Sequence, residues 1–116
     1  LIYAARNRAE LYYHDLFVEL AAKHANFRYV GALNEPTPAC EWSGFKGFVH
    51  DAAAEAFGND FRGHKAYLCG PPVMIEACIR ALMKGRLFER DIYTEKFVTA
   101  GDGAQALARS PLFRNI

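Results

Sequence analysis

Two periods of apolar residues alternate along the chain. Leu1-Ile2-Tyr3-Ala4-Ala5 is a short apolar run that reads as a buried strand. Asn7 then stands three residues before Glu10, a variant of the capping-box spacing. Tyr13, Leu16, Phe17 and Leu20 fall on one helical face, with Asp15, Glu19 and Lys23 elsewhere, which predicts a helix from about Ala9 to Lys23. Phe27 to Leu33 is the next predicted strand. The stretch through Pro36 and Pro38 to Gly44 and Gly47 is polar and reads as a long loop. Val49 to Phe57 is a short helix closed by Gly58 at its C′ position. Lys65 to Cys69 is a third strand. Met74, Ile75, Cys78, Ile79 and Leu82 mark one face of a helix ending at Gly85, and Asp91 to Phe97 is the last strand.

The predicted order is βαβαβαβ. Strands joined by helix-length crossovers run parallel, and a parallel sheet needs helices on both faces. The expected fold class is therefore α/β, a parallel sheet with flanking helices over residues 1–98, followed by a small, polar tail over 99–116. Ligands of such sheets bind at the carboxyl ends of the strands. That rule selects Ala5-Arg6, Leu33-Asn34, Cys69-Gly70 and Phe97 before any motif is considered.

Composition narrows the function classes. Of 116 residues, 52% are hydrophobic, enough for a packed core. A net charge of +1 makes no electrostatic case for nucleic acid or an anionic membrane. No apolar run approaches a membrane span of about 18 residues, and no secretory signal opens the chain. The chain begins with Leu1 inside an apolar run, which suggests a fragment. The three cysteines, Cys40, Cys69 and Cys78, lack the spacing of a disulfide framework or a zinc site, so reduced thiols in the cytoplasm are the simplest reading. The four histidines have no ligand spacing and read as solvated or helix-end residues.

Tyr67-Leu68-Cys69-Gly70-Pro71-Pro72-Val73-Met74 carries the most chemistry. A cysteine ends a strand, glycine permits a sharp turn, and two prolines open a helix. Prolines lack the N–H groups that cradle phosphate, so a flat, nearly neutral ring such as nicotinamide suits this turn better. A buried, inert cysteine at an ordinary strand–helix joint is the plain alternative. A nucleophilic Cys69 is a further one, although a phosphatase loop would need an arginine where Ile75 stands.

Cys69-Gly70-Pro71-Pro72 with Met74 resembles the signature of the ferredoxin–NADP reductase superfamily. Thr94-Glu95-Lys96-Phe97 resembles that family's Glu-x-Phe strand end, and Trp42 to Val49 its Trp-x-Gly-x-x-Gly-x-Val segment. Ala5 to Tyr13 looks like the stretch after its second nucleotide strand. Within the superfamily the likeness is strongest to reductase components of multicomponent phenol hydroxylases, and weaker to toluene and methane monooxygenase reductases. The resemblance implies a Rossmann-like nucleotide-binding domain lacking its first strand. It implies electron transfer from NADH through FAD and a plant-type [2Fe–2S] cluster to a di-iron oxygenase partner. By position, Cys69 would lie beside the nicotinamide in a positional, non-covalent role. Gly70, Pro71 and Pro72 would shape the pocket, and Met74 would pack behind it. Glu95 would orient nicotinamide and flavin, and Phe97 would lie against the flavin ring. The family's flavin-barrel motif, its cluster cysteines and its glycine-rich first turn are not in this sequence, so FAD and ferredoxin domains are expected elsewhere in a full-length chain. A free-standing nucleotide-binding module remains the alternative.

The cofactor signals conflict. An acid after the second strand favours NAD, and an arginine there can accept the NADP 2′-phosphate. Here Ala5-Arg6-Asn7-Arg8 leans towards NADP by charge, with Glu10 the nearest acid, whereas the family likeness favours NADH. NADH is the expected donor. Replacing Arg6 by Glu in the full reductase tests this, and NADH use should hold. A selective collapse of NADPH use in steady-state assays would show that Arg6 reads the 2′-phosphate.

Overall fold

The computed structural model describes residues 1–97. The expected tail lies outside the described residues. The chain divides into two compact units, before and after Ala53.

In the first unit, β1 (Ile2–Ala5) and β2 (Val30–Leu33) pair in parallel, from Ile2 opposite Val30 to Ala5 opposite Leu33. A third parallel strand, β3 (Phe45–Lys46), adds to β2 with Ala32 opposite Phe45. This two-residue strand falls inside the stretch expected to be loop, because two residues are too few to show a period. Ala32 and Leu33 are fully buried at the centre of the sheet, whereas β1 is half-buried rather than buried. The second expected strand is shorter than its apolar pattern, starting at Val30 rather than Phe27.

The first expected helix is also shorter. A single 3-10 turn covers Arg8–Glu10, and α1 runs over His14–Lys23. Asn7 precedes the turn without a side-chain capping bond. Tyr13 takes a left-handed conformation, φ 60°, and is 73% exposed, so it interrupts the periodic run instead of joining it. The covered face is His14, Phe17 and Leu20, not Tyr13 and Leu16. Phe17 meets Tyr3 of β1 edge-on at 6.1 Å and Tyr29 at 5.3 Å, which anchors α1 to the sheet.

α2 spans Val49–Phe57, as expected. Gly58 takes φ +61°, and the N–H groups of Gly58 and Asn59 donate to the carbonyls of Glu55 and Ala54. This is the Schellman closure that the sequence predicts at Gly58.

In the second unit, β4 (Ala66–Gly70) and β5 (Ile92–Lys96) pair in parallel over their whole length. Between them runs α3 (Pro72–Lys84), whose buried stripe is Ile75, Cys78, Ile79 and Leu82. Met74 lies off that stripe, only half-buried. Leu87 and Ile92 complete this core with Phe61. The architecture is thus α/β with parallel strands and flanking helices, though the described strands form two sheets, β1-β2-β3 and β4-β5. Neither β1 nor β4 pairs on its second edge among the described residues. No described helix is long and apolar enough to cross a membrane.

Gly85 closes α3 for a steric reason. Its φ is −86°, and it is Arg86 that takes the left-handed turn, φ 70°. A Cβ on Gly85 would lie 2.2 Å from Cδ2 of the buried Phe61 ring, whose own N–H donates to the Gly85 carbonyl at 2.9 Å. Gly85→Ala should therefore destabilise the fold by about 1–3 kcal/mol through overpacking. Urea denaturation compared with the parent protein checks this.

Candidate functional site

Strand register builds the first half of the site. Parallel pairing sets Cys69 opposite Glu95 and Gly70 opposite Lys96. One further bond, Phe97 N–H to the Gly70 carbonyl at 2.8 Å, carries the ladder past the end of β5. Side chains alternate across a sheet, so Tyr67 and Cys69 share a face with Tyr93, Glu95 and Phe97. All five are exposed. Tyr67 and Tyr93 stack at 5.0 Å behind the Cys69–Glu95 pair. Thiol, carboxylate and phenyl ring thus stand together at the carboxyl end of β4 and β5.

The opposite face is held by α3. Pro71 caps this helix in extended conformation and Pro72 is its first residue. The Ile75 N–H donates to the Pro71 carbonyl at 3.0 Å, closing the first turn. The Met74 side chain folds onto Gly70, where a Cβ would fall 2.2 Å from the Met74 methyl carbon. A side chain at Gly70 would displace that thioether. Lys96 is nearly buried and reaches Glu76 of α3 at 3.4 Å. The sequence reading missed this pair, because twenty residues separate the partners and no local period links them. It ties the end of β5 to the helix that follows β4.

This end of the unit offers a polarizable thiol, an acid and an aromatic ring, and the prolines take two N–H donors from the adjacent helix start. Such a surface accepts a flat ring with a neutral polar substituent. It is poorly equipped for phosphate.

The first unit has its own strand end. Beyond β1 and β2, Asn34 N–H donates to the Ala5 carbonyl at 3.2 Å and Glu35 N–H to the Arg6 carbonyl at 2.7 Å. Arg6 is exposed and held by Glu10, its Nε donating to Oε2 at 3.1 Å and Nη2 to Oε1. Hydrogen bonding from Arg6 holds the Glu10 carboxyl below the ordinary range, and the same bond raises Arg6. Arg8 is engaged by Asp15 at 3.1 Å. Trp42 packs against Gly31 and Gly44 and donates its indole N–H to the Phe45 carbonyl at 2.8 Å, a packing anchor for β3. His14, the first residue of α1, is a helix-end histidine as expected and is half-buried. Its Nδ1 meets the Tyr29 hydroxyl at 2.8 Å and its ring lies 5.1 Å from Trp42, and burial pushes its pKa down.

These features define a class. The chain belongs to the oxidoreductase NAD-binding domain family, whose model matches residues 1–80, and NAD(H) is the cofactor class of that domain. Across its full length it is 62% identical to the reductase component of phenol 2-monooxygenase from Pseudomonas sp. (strain CF600). It is 55% identical, again over all 116 residues, to the phenol hydroxylase P5 protein of Acinetobacter pittii (strain PHEA-2). The chain spans 33% of the length of each of these relatives. The crystal structure of the Amycolatopsis reductase GcoB superposes with a TM-score of 0.72 at 38% identity, over 84% of this chain and 28% of that one. The resemblance to ferredoxin–NADP reductase-type proteins read from the motifs is thereby established.

The cysteines differ in environment. Cys69 is exposed, Cys40 is half-buried with its thiol on the Thr37 carbonyl at 3.0 Å, and Cys78 is buried. Burial pushes the Cys78 thiol up from 9.0 to about 11. An unfolded thiol ionises first, so this contribution is intact below pH 9 and is lost as pH rises towards 11, by about 2–3 kcal/mol. Iodoacetamide at pH 8 should label Cys69 rapidly and Cys78 only on unfolding. Peptide mass mapping over a time course reads the order.

Proposed function

We propose that this chain is the NADH-binding part of an electron-transfer reductase that serves a phenol hydroxylase-type multicomponent monooxygenase. In that reading the complete protein also holds FAD and a [2Fe–2S] cluster, works in the cytoplasm, and passes electrons to a di-iron oxygenase partner. The single observation that carries it is the register joining Cys69 to Glu95 and Gly70 to Phe97 at one strand end. The identities to two phenol hydroxylase reductases support the system in which it acts.

The residues present fit a nicotinamide. Cys69 and Glu95 are exposed side by side, with no cation fixed between them, and Gly70 adds no side chain of its own. When bound, reduced nicotinamide supplies a hydride to the flavin. Cys69 would contribute shape and polarizability at the ring. Glu95 would accept a hydrogen bond from a carboxamide N–H. Pro71 and Pro72 would fix the wall that starts α3, and Met74 would hold Gly70 in place from behind. Phe97, 58% exposed, would present its ring to the flavin and exclude water from that side. Ala5 and Arg6 would line the adenosine end.

A thiol acting by position can be imitated by a hydroxyl, and a covalent nucleophile cannot. In the full-length reductase, Cys69→Ser should slow flavin reduction by NADH about ten- to hundredfold and leave it measurable. Stopped-flow absorbance of the flavin reads the rate. Complete loss with intact flavin binding would reassign Cys69 as a nucleophile.

A further inference from the structure

We propose that Glu10 is a specificity-determining residue that keeps the chain selective for NADH by occupying Arg6. The inference rests on the nucleotide-binding reading above and names the residue that chooses between its two cofactors. From sequence alone the Arg6-Asn7-Arg8 turn is the strongest argument for NADP. The structure removes that argument. The side edge of Arg6, Nε with Nη2, is committed to the two oxygens of Glu10, which also neutralises its charge. Arg8 is committed to Asp15 and to the Leu11 carbonyl at 3.4 Å. Glu35 adds a second negative charge to the surroundings of Arg6. The turn therefore carries two cations already matched by carboxylates.

A 2′-phosphate arriving here would have either to displace Glu10 from the side edge of Arg6 or to bind the neutralised guanidinium end-on beside that carboxylate, anion against anion. A ribose 2′-hydroxyl faces no such competition. It can donate to the Glu10 carboxylate without breaking the pair, since a carboxylate bound by one guanidinium keeps lone pairs to spare. The 3-10 geometry of Arg8–Glu10 brings the carboxylate back to Arg6, so selectivity is encoded in the turn rather than at the residue directly after the strand.

The test uses the full-length reductase with its flavin bound. Affinities for NAD⁺ and NADP⁺ are measured by isothermal titration calorimetry, beside NADH and NADPH rates. The parent protein should bind NAD⁺ in preference. Glu10→Gln should shift the NADP⁺-to-NAD⁺ affinity ratio about tenfold towards NADP⁺, with a gain that shrinks as salt rises. Glu10→Ala is the second variant if the first folds poorly. The gain should vanish when Arg6→Ala is combined with Glu10→Gln, because the freed guanidinium is then absent. An unchanged ratio in a protein that still binds NAD⁺ overturns this inference and leaves the proposed function standing. A gain that survives Arg6→Ala also overturns it. A parent protein that binds neither nucleotide overturns both.

Discussion

The parallel pairing of β4 with β5 is the constraint on which the candidate site depends. Side chains alternate along a strand, so a slip of one residue would turn Cys69 away from the face that holds Glu95. Register is fixed on the covered face. Ile92 and Gly70 are buried there, Lys96 reaches Glu76, and Met74 presses on Gly70. Those contacts leave the exposed face no alternative partner set. The chemistry-bearing residues thus inherit their positions from packing on the side they do not use.

Electrostatics at the first unit's strand end follows a different logic. Its arginines are exposed, where single ion pairs add little to stability, typically below about 1 kcal/mol. Arg6 with Glu10 and Arg8 with Asp15 are thus poorly explained as fold-stabilising devices. What they change is the field an incoming ligand meets. A turn that looks basic in one dimension is neutral in three.

Much of this was legible in the sequence. α2, α3, β4 and β5 stand within a residue or two of their periodic patterns, because Gly58, Gly85 and the proline pair punctuate them sharply. That Cys69-Gly70 and Phe97 stand at strand carboxyl ends also followed from the rule for ligand sites of parallel sheets, whereas Glu95 entered through the likeness to the family's Glu-x-Phe strand end. Three features were not legible, each for a physical reason. β3 owes its existence to β2 beside it rather than to any pattern in Phe45-Lys46. Tyr13 has an apolar ring at a helical spacing, yet its left-handed backbone ends the run before α1 begins. The Arg6–Glu10 bond requires the chain to turn back within a 3-10 segment, whereas a linear reading counts Glu10 only as a nearby acid.

The sheet built from β4 and β5 shows why such a site can be both exposed and well ordered. A strand with one covered face needs only alternate residues for the core. Here Ala66, Leu68 and Gly70, with Ile92 and Lys96, supply the covered set, while Thr94 is exposed. The interleaved positions are then free of packing duty. They carry the Tyr67–Tyr93 stack, the Cys69–Glu95 pair and Phe97, whose exposure would be costly if the core relied on them. Packing on the covered face fixes the register, and backbone bonds between the strands then hold these residues in place. The bond from Phe97 N–H to the Gly70 carbonyl is the last of them, and it keeps the aromatic ring beside the thiol after regular β5 has ended. A cofactor domain gains from this separation, since the face that meets a ligand can change its side chains while the face that sets their geometry stays the same.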